Sequence, residues 1–446
     1  MLLNDFRGLK GQFDKVNFIG LHDFKMGMAM NVPIGVRMRD FPAGYSGILS
    51  VLKSLIGEIF SQDYYYSYEH DNASKILFLF SHSYIIREDH RVMFFKTANL
   101  LPVRDVLEAH HCGRRIDFSW SSFLLLFYVM IWFWQIRYIK LSLKDRLYYI
   151  GNLVWGKRWA RELYKIDFNG QYNLLVTLCD AHMADNMATQ LFKKYRIMTA
   201  TLQHGWYSMT IPKADSFRDI NLGLEGMVSD KFLCYGEYSK QGAVVSGIEL
   251  NRIVCLGNPQ FIDMNKRYQT CPKKIFCLLL SRSLEAGTGY DFIANNREMI
   301  EIANEICLKM KMKYIIKYHP GEDKAETDLL YGKSIKQEFL HDQYWNTYPL
   351  IKLVDKVDFS ITDGISTTYL EMLYMRQPSF RYIKHFDTFT KFAWGGFMDS
   401  SEVLVLIKML DSQPEKIHKH IESMVEFVYG GGDVGAHYKK YLKTFM

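Results

Sequence analysis

Residues 172–205 read YNLLVTLCDAHMADNMATQLFKKYRIMTATLQHG. The run YNLLVTLCD is apolar and of strand length. AHMADNMATQLFKKY spaces its apolar residues for a helix, and RIMTATLQHG is a second strand. Two such strands joined by one helix imply a parallel βαβ unit with a right-handed crossover. The alternation continues outward. KFLCYGEYSKQGAVVSG (231–247) is a strand, turn and helix, and NRIVCLGNPQF (251–261) is another strand. A polar stretch, DMNKRYQTCPKK (263–274), then breaks the pattern and reads as a domain boundary. Beyond it the logic repeats: strand IFCLLLS (275–281), helix NNREMIEIANEICLKM (295–310) and strand KYIIKYHPGED (313–323). The strand-like SFRYI (379–383), the amphipathic SSEVLVLIKMLDS (400–412) and two tail helices broken at Gly430-Gly431-Gly432 complete it. The expected fold class is α/β, with two units, residues 1–267 and 268–446. No short-period repeat is present, which excludes a solenoid.

The chain has 446 residues, 48% hydrophobic and 23% charged, values of an ordinary globular protein and enough for two cores. Its net charge of +7 is dispersed, without the Lys/Arg block of a nucleic-acid tail, so no nucleic-acid partner is expected. The seven cysteines are odd in number, show no CxxC spacing and sit partly inside apolar runs. Reduced thiols in a cytoplasmic protein are the expectation. The N-terminus, MLLNDFRGLKGQFDK, lacks the apolar core of a signal peptide.

Residues 1–70 carry no chemistry that can be assigned, apart from a helical pattern near GILSVLKSLIGEIF. The run FSWSSFLLLFYVMIWFWQIRYIK follows further on. From Phe118 to Trp134 it holds seventeen residues without a charge, flanked by Arg114, Arg115, Arg137 and Lys140. A helix of that length reaches only about 26 Å, short of the hydrocarbon core. Its Trp and Tyr content is that of an interface. A helix lying in the surface of an anionic membrane near 118–137 is expected, with a buried core helix as the alternative.

In parallel α/β sheets, ligands bind at the carboxyl ends of the strands. Asp180, His204 and Asn258 fall at such ends in the first half, and Arg282 and His319 in the second. The stretch DFSITDGISTTYLEMLYM (358–375) adds a strand end, the turn Asp363-Gly364, the hydroxyls of Ser366, Thr367 and Thr368, and a helix carrying Glu371. Free amides at a helix start favour an anion. Thr368-x-x-Glu371 also fits a capping box that needs no ligand.

Two α/β units of similar size, with TLQHGWY, LGNPQF, IIKYHPGED and SITDGISTTYLEMLYM in that order, resemble the GT-B glycosyltransferases of bacterial capsule and teichoic-acid synthesis. CDP-glycerol glycerophosphotransferases and CMP-Kdo, sialyl and polysialyl transferases share the pattern. The likeness spans residues 172–380. It implies two Rossmann-like domains facing a cleft, with C-terminal helices returning to the first. The first domain would bind a lipid-linked or oligosaccharide acceptor and the second a nucleotide-activated donor, CMP- or CDP-linked. His319, Arg282, Ser366, Thr367, Thr368 and Glu371 would hold the donor. The catalytic set would be His204, Asp180 and His319, with His204 the first choice of base, Asp180 the second and His182 the third. No DxD pair stands at a strand end, so neither metal nor cofactor is expected, and the enzyme would sit on the cytoplasmic face of the cell membrane. Two alternatives stay open. One is a UDP-sugar 2-epimerase, although Asp363-Gly364-Ile365-Ser366 lacks the double glycine of those enzymes; the other is a non-catalytic scaffold of an envelope-polymer complex.

Overall fold

A computed structural model describes residues 3–38, 47–81, 88–116, 119–166, 171–203, 223–263, 273–281, 291–319, 322–345, 348–364, 366, 368–385 and 394–446. His204, Arg282 and Thr367 lie outside the described residues. The chain forms two compact units, residues 1–262 with 432–446, and residues 263–431.

The first unit is built on a sheet of strands β1 (Ser61–Glu69), β2 (Ile76–Phe80), β3 (Asp105–Ile116), β4 (Leu174–Thr177), β5 (Met198–Leu202), β6 (Lys231–Cys234) and β7 (Ile253–Cys255). Their order is β1-β3-β2-β4-β5-β6-β7. β1 runs antiparallel to β3, and the other neighbours are parallel. β2 shows why the sheet reads as continuous apolar runs. Ile76, Phe78 and Phe80 enter one core and Leu77 and Leu79 the opposite one, so both faces are covered. The helices used below are α1 (Ile48–Phe60), α2 (Trp120–Gln135), α3 (Leu143–Leu163) and α4 (Met183–Lys194).

The second unit is a sheet of β8 (Ile275–Leu279), β9 (Lys313–Lys317), β10 (Leu340–Tyr344), β11 (Ser360–Asp363), β12 (Ser379–Tyr382) and β13 (Gly396–Phe397). The order is β10-β9-β8-β11-β12-β13, parallel throughout. Numbered within the unit, that is 3-2-1-4-5-6, the doubly wound arrangement whose ligand crevice lies where the winding reverses. The reversal falls between β8 and β11. Helices α5 (Phe292–Met310), α6 (Thr368–Tyr374) and α7 (Pro414–Tyr429) belong to this unit.

The last helix, α8 (Val434–Leu442), rejoins the first unit, whereas α7, the other tail helix, stays with the second. Val434, Tyr438 and Leu442 enter its core, and the Tyr438 hydroxyl donates to the Gly257 carbonyl at 3.3 Å. Gly257 has φ +94°, and a Cβ there would lie 2.6 Å from Val434 Cγ2. The glycine of LGNPQF therefore permits a close helix contact. Asn258 accepts from the Gln260 amide at 3.0 Å and caps the next turn.

The aromatic run forms α2, Trp120–Gln135, whose Ser122, Leu125 and Trp132 are buried. Trp120 is 84% and Met130 65% exposed, and Phe123, Leu124, Leu126, Phe127 and Trp134 are exposed with them. A helix covered on all sides by its own domain would not show this. Among the described residues, no helix is long and apolar enough to cross a membrane.

Candidate functional site

The reversal point of the second unit is tied by one carboxylate. Asp363, fully buried at the end of β11, accepts from the Ser281 hydroxyl just past β8 and from the Ser366 amide at 2.8 Å. One side chain thus fixes both walls of the crevice and the turn entering α6. Behind Ser281, the Asn296 amide donates to the Ser281 carbonyl at 3.0 Å. Ser366 Oγ and Thr368 Oγ1 lie 2.6 Å apart. The pair is a two-hydroxyl surface at the crevice mouth.

The Thr368–Glu371 capping box is corrected. Thr368 is the first helical residue rather than the cap, and the Tyr369 amide donates to the Ser366 carbonyl at 3.3 Å. α6 has seven residues, so the side chains carry the case for a ligand here more than a helix dipole does.

β9 lies beside β8 and ends one residue before Tyr318 and two before His319. His319 is exposed, and its carbonyl accepts from the Glu322 amide at 3.0 Å. Lys317, paired in register with Leu279, is the residue that sequence reading passed over. It is only 8% exposed. Burial lowers its pKa, while Cys277 and then Glu371 raise it. Its ammonium lies 3.5 Å from the Tyr318 carbonyl, long for an N–H···O bond. A cation held at the carboxyl edge at a desolvation cost suits an anionic ligand. The signal was a lysine inside the apolar run of IIKYHPGED. In sum, Ser281, Asp363, Ser366, Thr368, Glu371, Lys317 and His319 stand at or just past the carboxyl ends of three adjacent strands.

In the first unit the winding reverses between β2 and β4, and the predicted Asp180 lies there. Its buried carboxylate accepts from the amides of Val228 at 2.9 Å and Ser229 at 2.6 Å, and burial pushes its pKa up against those bonds. In this state Asp180 braces the segment before β6. His182 caps α4, and its pKa is held down at about 4, by burial first and then by His90.

Asp185, in the first turn of α4, is a group the sequence reading did not single out. Its Oδ2 accepts from the Ser81 hydroxyl at 2.6 Å and its Oδ1 from the Leu178 amide at 3.3 Å. Both partners follow strand ends at the reversal. Burial pushes its carboxyl up to about 7, against those bonds and with the charge of Asp180 adding to the rise. Buried acids that titrate near neutrality concentrate at functional sites. Among the described residues, no group of three or more His, Cys, Asp or Glu could hold a metal ion.

No protein family and no curated protein matches this chain. Solved structures do resemble it. The S. aureus MnaA–UDP co-structure shares 13% identity over 83% of this chain and 97% of its own, with a TM-score of 0.48. A UDP-GlcNAc 2-epimerase from Neisseria meningitidis bound to UDP-GlcNAc shares 12% over 83% and 99%, at 0.47. A glycosyltransferase from Rickettsia africae shares 13% over 84% and 98%, at 0.42. At these scores the likenesses lend no residue role and no substrate to this chain.

Proposed function

We propose that this chain is a glycosyltransferase, or a polyol-phosphate transferase, that moves a group from a CMP- or CDP-linked donor to a lipid-linked or growing surface polysaccharide. One observation carries the reading: the 3-2-1-4-5-6 sheet of the second unit, whose reversal is locked by the Ser281–Asp363–Ser366 knot beside Lys317 and His319. Ser366, Thr367 and Thr368 receive the donor phosphate through their hydroxyls. His319 sits against the donor phosphate, Arg282 neutralises the charge of the leaving group, and Lys317 joins Arg282 as a second cation. Glu371 accepts from the ribose hydroxyls. No metal is needed when protein cations stabilise the departing phosphate.

His204 takes the acceptor hydroxyl proton, because it directly follows Gln203, the residue after β5, and an imidazole is the side chain best suited to general-base work. Asp180, held by two amides, keeps that end of the sheet in place. The exposed aromatic face of α2, with Arg115, Arg137 and Lys140 at its ends, rests on the anionic cytoplasmic surface where such acceptors are presented.

The test is polymer synthesis in cells carrying His204→Ala or His319→Ala. Loss of polymer with normal protein levels is expected. Intact synthesis would leave the scaffold reading in its place. Turnover of UDP-GlcNAc without any acceptor would replace transfer with epimerisation.

A further inference from the structure

Two cysteines of the first unit meet at the carboxyl edge of its sheet. Cys234 ends β6 and Cys255 ends β7, and the two are paired in register on neighbouring parallel strands. Residues so paired point to the same face, and neighbouring strands lie about 4.8 Å apart. That spacing falls inside the range a disulfide bridges, roughly 4.4–6.8 Å between Cα atoms. The two sulfurs are 3.4 Å apart, as free thiols. The backbone is thus already placed for a bond that the side chains have yet to close.

The two thiols are not equivalent. Cys234 is fully buried in a cluster with Phe232, Ala243 and Ile248, whereas Cys255 is exposed on the edge strand. A bond from the Cys234 thiol to the Cys255 sulfur is the first cause of a lowered pKa at Cys255. Burial opposes that bond, the Lys240 ammonium adds to the lowering, and Glu237 works against it. The same bond, followed by burial, raises the pKa of Cys234. The thiolate therefore forms on Cys255, and the neighbour that keeps its proton is the one placed to react next. Burial instead pushes Cys277 and Cys307 up to about 12 each. The thiolate is the nucleophile, so reactivity follows this ranking.

The pair also joins two of the sequence motifs. One residue past Cys234, the Tyr235 amide donates to Gln203 Oε1 at 2.9 Å, and Gln203 directly precedes His204. From the β7 side, the Leu256 amide donates to the Cys234 carbonyl and the Gly257 amide to the Tyr235 carbonyl, each at 2.9 Å. A covalent bond here would lie between the strand ends of TLQHG and LGNPQF.

We propose that Cys255 and Cys234 are a hydroperoxide-reactive thiol pair, in which Cys255 is oxidised first and Cys234 then closes a disulfide across β6 and β7. The Cys255 thiolate attacks one peroxide oxygen, the O–O bond breaks, and hydroxide or alkoxide leaves with the electron pair. The Cys234 sulfur attacks the resulting Cys255 sulfenic acid; the S–O bond breaks, and the Cys234 proton departs with the hydroxyl as water. The peroxide gains the two electrons that the two thiols lose. A dithiol restores both thiols by exchange. Reversible bonds of this kind suit a reducing compartment. The proposal does not depend on the transfer reading.

Mass spectrometry of the reduced full chain after brief exposure to hydrogen peroxide, with trypsin digestion free of reductant, tests it. Cleavage at Lys231, Lys240, Arg252 and Lys266 puts Cys234 on residues 232–240 and Cys255 on residues 253–266, so the bridge joins two peptides. The linked pair should appear about tenfold or more faster than any oxidation of Cys277 or Cys307, and dithiothreitol should remove it. In Cys234→Ala, Cys255 should be trapped by dimedone and, without dimedone, pass on to sulfinic acid. In Cys255→Ser, Cys234 should take up neither modification. Circular dichroism checks the fold of both variants, and the native chain decides the matter by itself if either misfolds. The inference is overturned if the native chain forms no bridge between Cys234 and Cys255, if the bridge forms as fast in urea-unfolded chain, or if Cys255 links two chains instead. Dimedone capture at Cys234 in folded Cys255→Ser would overturn the assigned order of oxidation.

Discussion

Replacing Asp185 with asparagine should make the protein more stable at neutral pH, although the substitution removes a buried, hydrogen-bonded carboxyl. The protonated carboxyl can donate from Oδ2 to Ser81 Oγ while Oδ1 accepts from the Leu178 amide, and an asparagine amide reproduces that pattern. The variant thus imitates the protonated acid at every pH. The native carboxyl titrates at about 7 when folded, against an ordinary value of 3.8. Its folded pKa is raised, so its contribution is fully present below pH 3.8 and is lost as pH rises to about 7, because only the unfolded chain has ionised. At about 1.4 kcal/mol per tenfold, the gap amounts to roughly 4 kcal/mol as an upper bound. Relative to the native chain, Asp185→Asn should gain up to that amount between pH 4 and pH 7.5, with a plateau above. Urea unfolding of both proteins, followed by fluorescence of Trp132, Trp155 and Trp159 in the first unit, measures the difference while shared titrations cancel. A difference that stays flat between pH 4 and 7.5 would refute the placement of Asp185 as a buried acid.

Two further outcomes concern charge. Lys317→Met should leave the melting temperature unchanged or raised, since a buried cation gives way to an apolar side chain, while nucleotide diphosphate binding weakens about 10- to 100-fold for the loss of a charge-assisted bond worth about 1.5–3 kcal/mol. Calorimetric titration against CDP measures it, and unaltered affinity would remove Lys317 from the site. Replacing Arg115, Arg137 and Lys140 with glutamine should weaken binding to phosphatidylserine vesicles by about 3 kcal/mol, roughly 100-fold, at about 1 kcal/mol per charge. Flotation at two ionic strengths checks this, and unchanged binding would separate α2 from the membrane.

How much of this was legible follows from burial. β4, β5, β8, β9 and β11 are covered on both faces, so they announce themselves as apolar runs bounded by turns, whereas their order in the sheets is seen only in the structure. The strands that escaped reading are β1, β3, β10 and the two-residue β13. β1 and β10 are sheet edges, and SQDYYYSYE and LHDQY carry the polar residues that an edge tolerates. β3 was hidden by the run AHHCGRR, half of it opposite β1. In the sequence, the hydroxyls and histidines proposed for the site stand out because they sit in short motifs at the ends of strand-like runs. Lys317 and Asp185 were missed for the opposite reason: each is polar inside an apolar stretch, and only the packing shows what surrounds it. The packing of α1 against α3 was beyond reach, because the two helices lie far apart in sequence and meet only through the tertiary fold.

The measurement bearing most directly on a nucleotide-holding second unit is thermal stabilisation by CMP, CDP and UDP, made on the native chain and on Ser366→Ala and His319→Ala. A nucleotide at 100 times its dissociation constant adds about 2.7 kcal/mol to the unit that binds it. A larger shift with CMP or CDP than with UDP, reduced in both variants, is the predicted result. Equal shifts with all three would remove the cytidine preference, and no shift with any of them would contradict a donor site at the β8–β11 reversal.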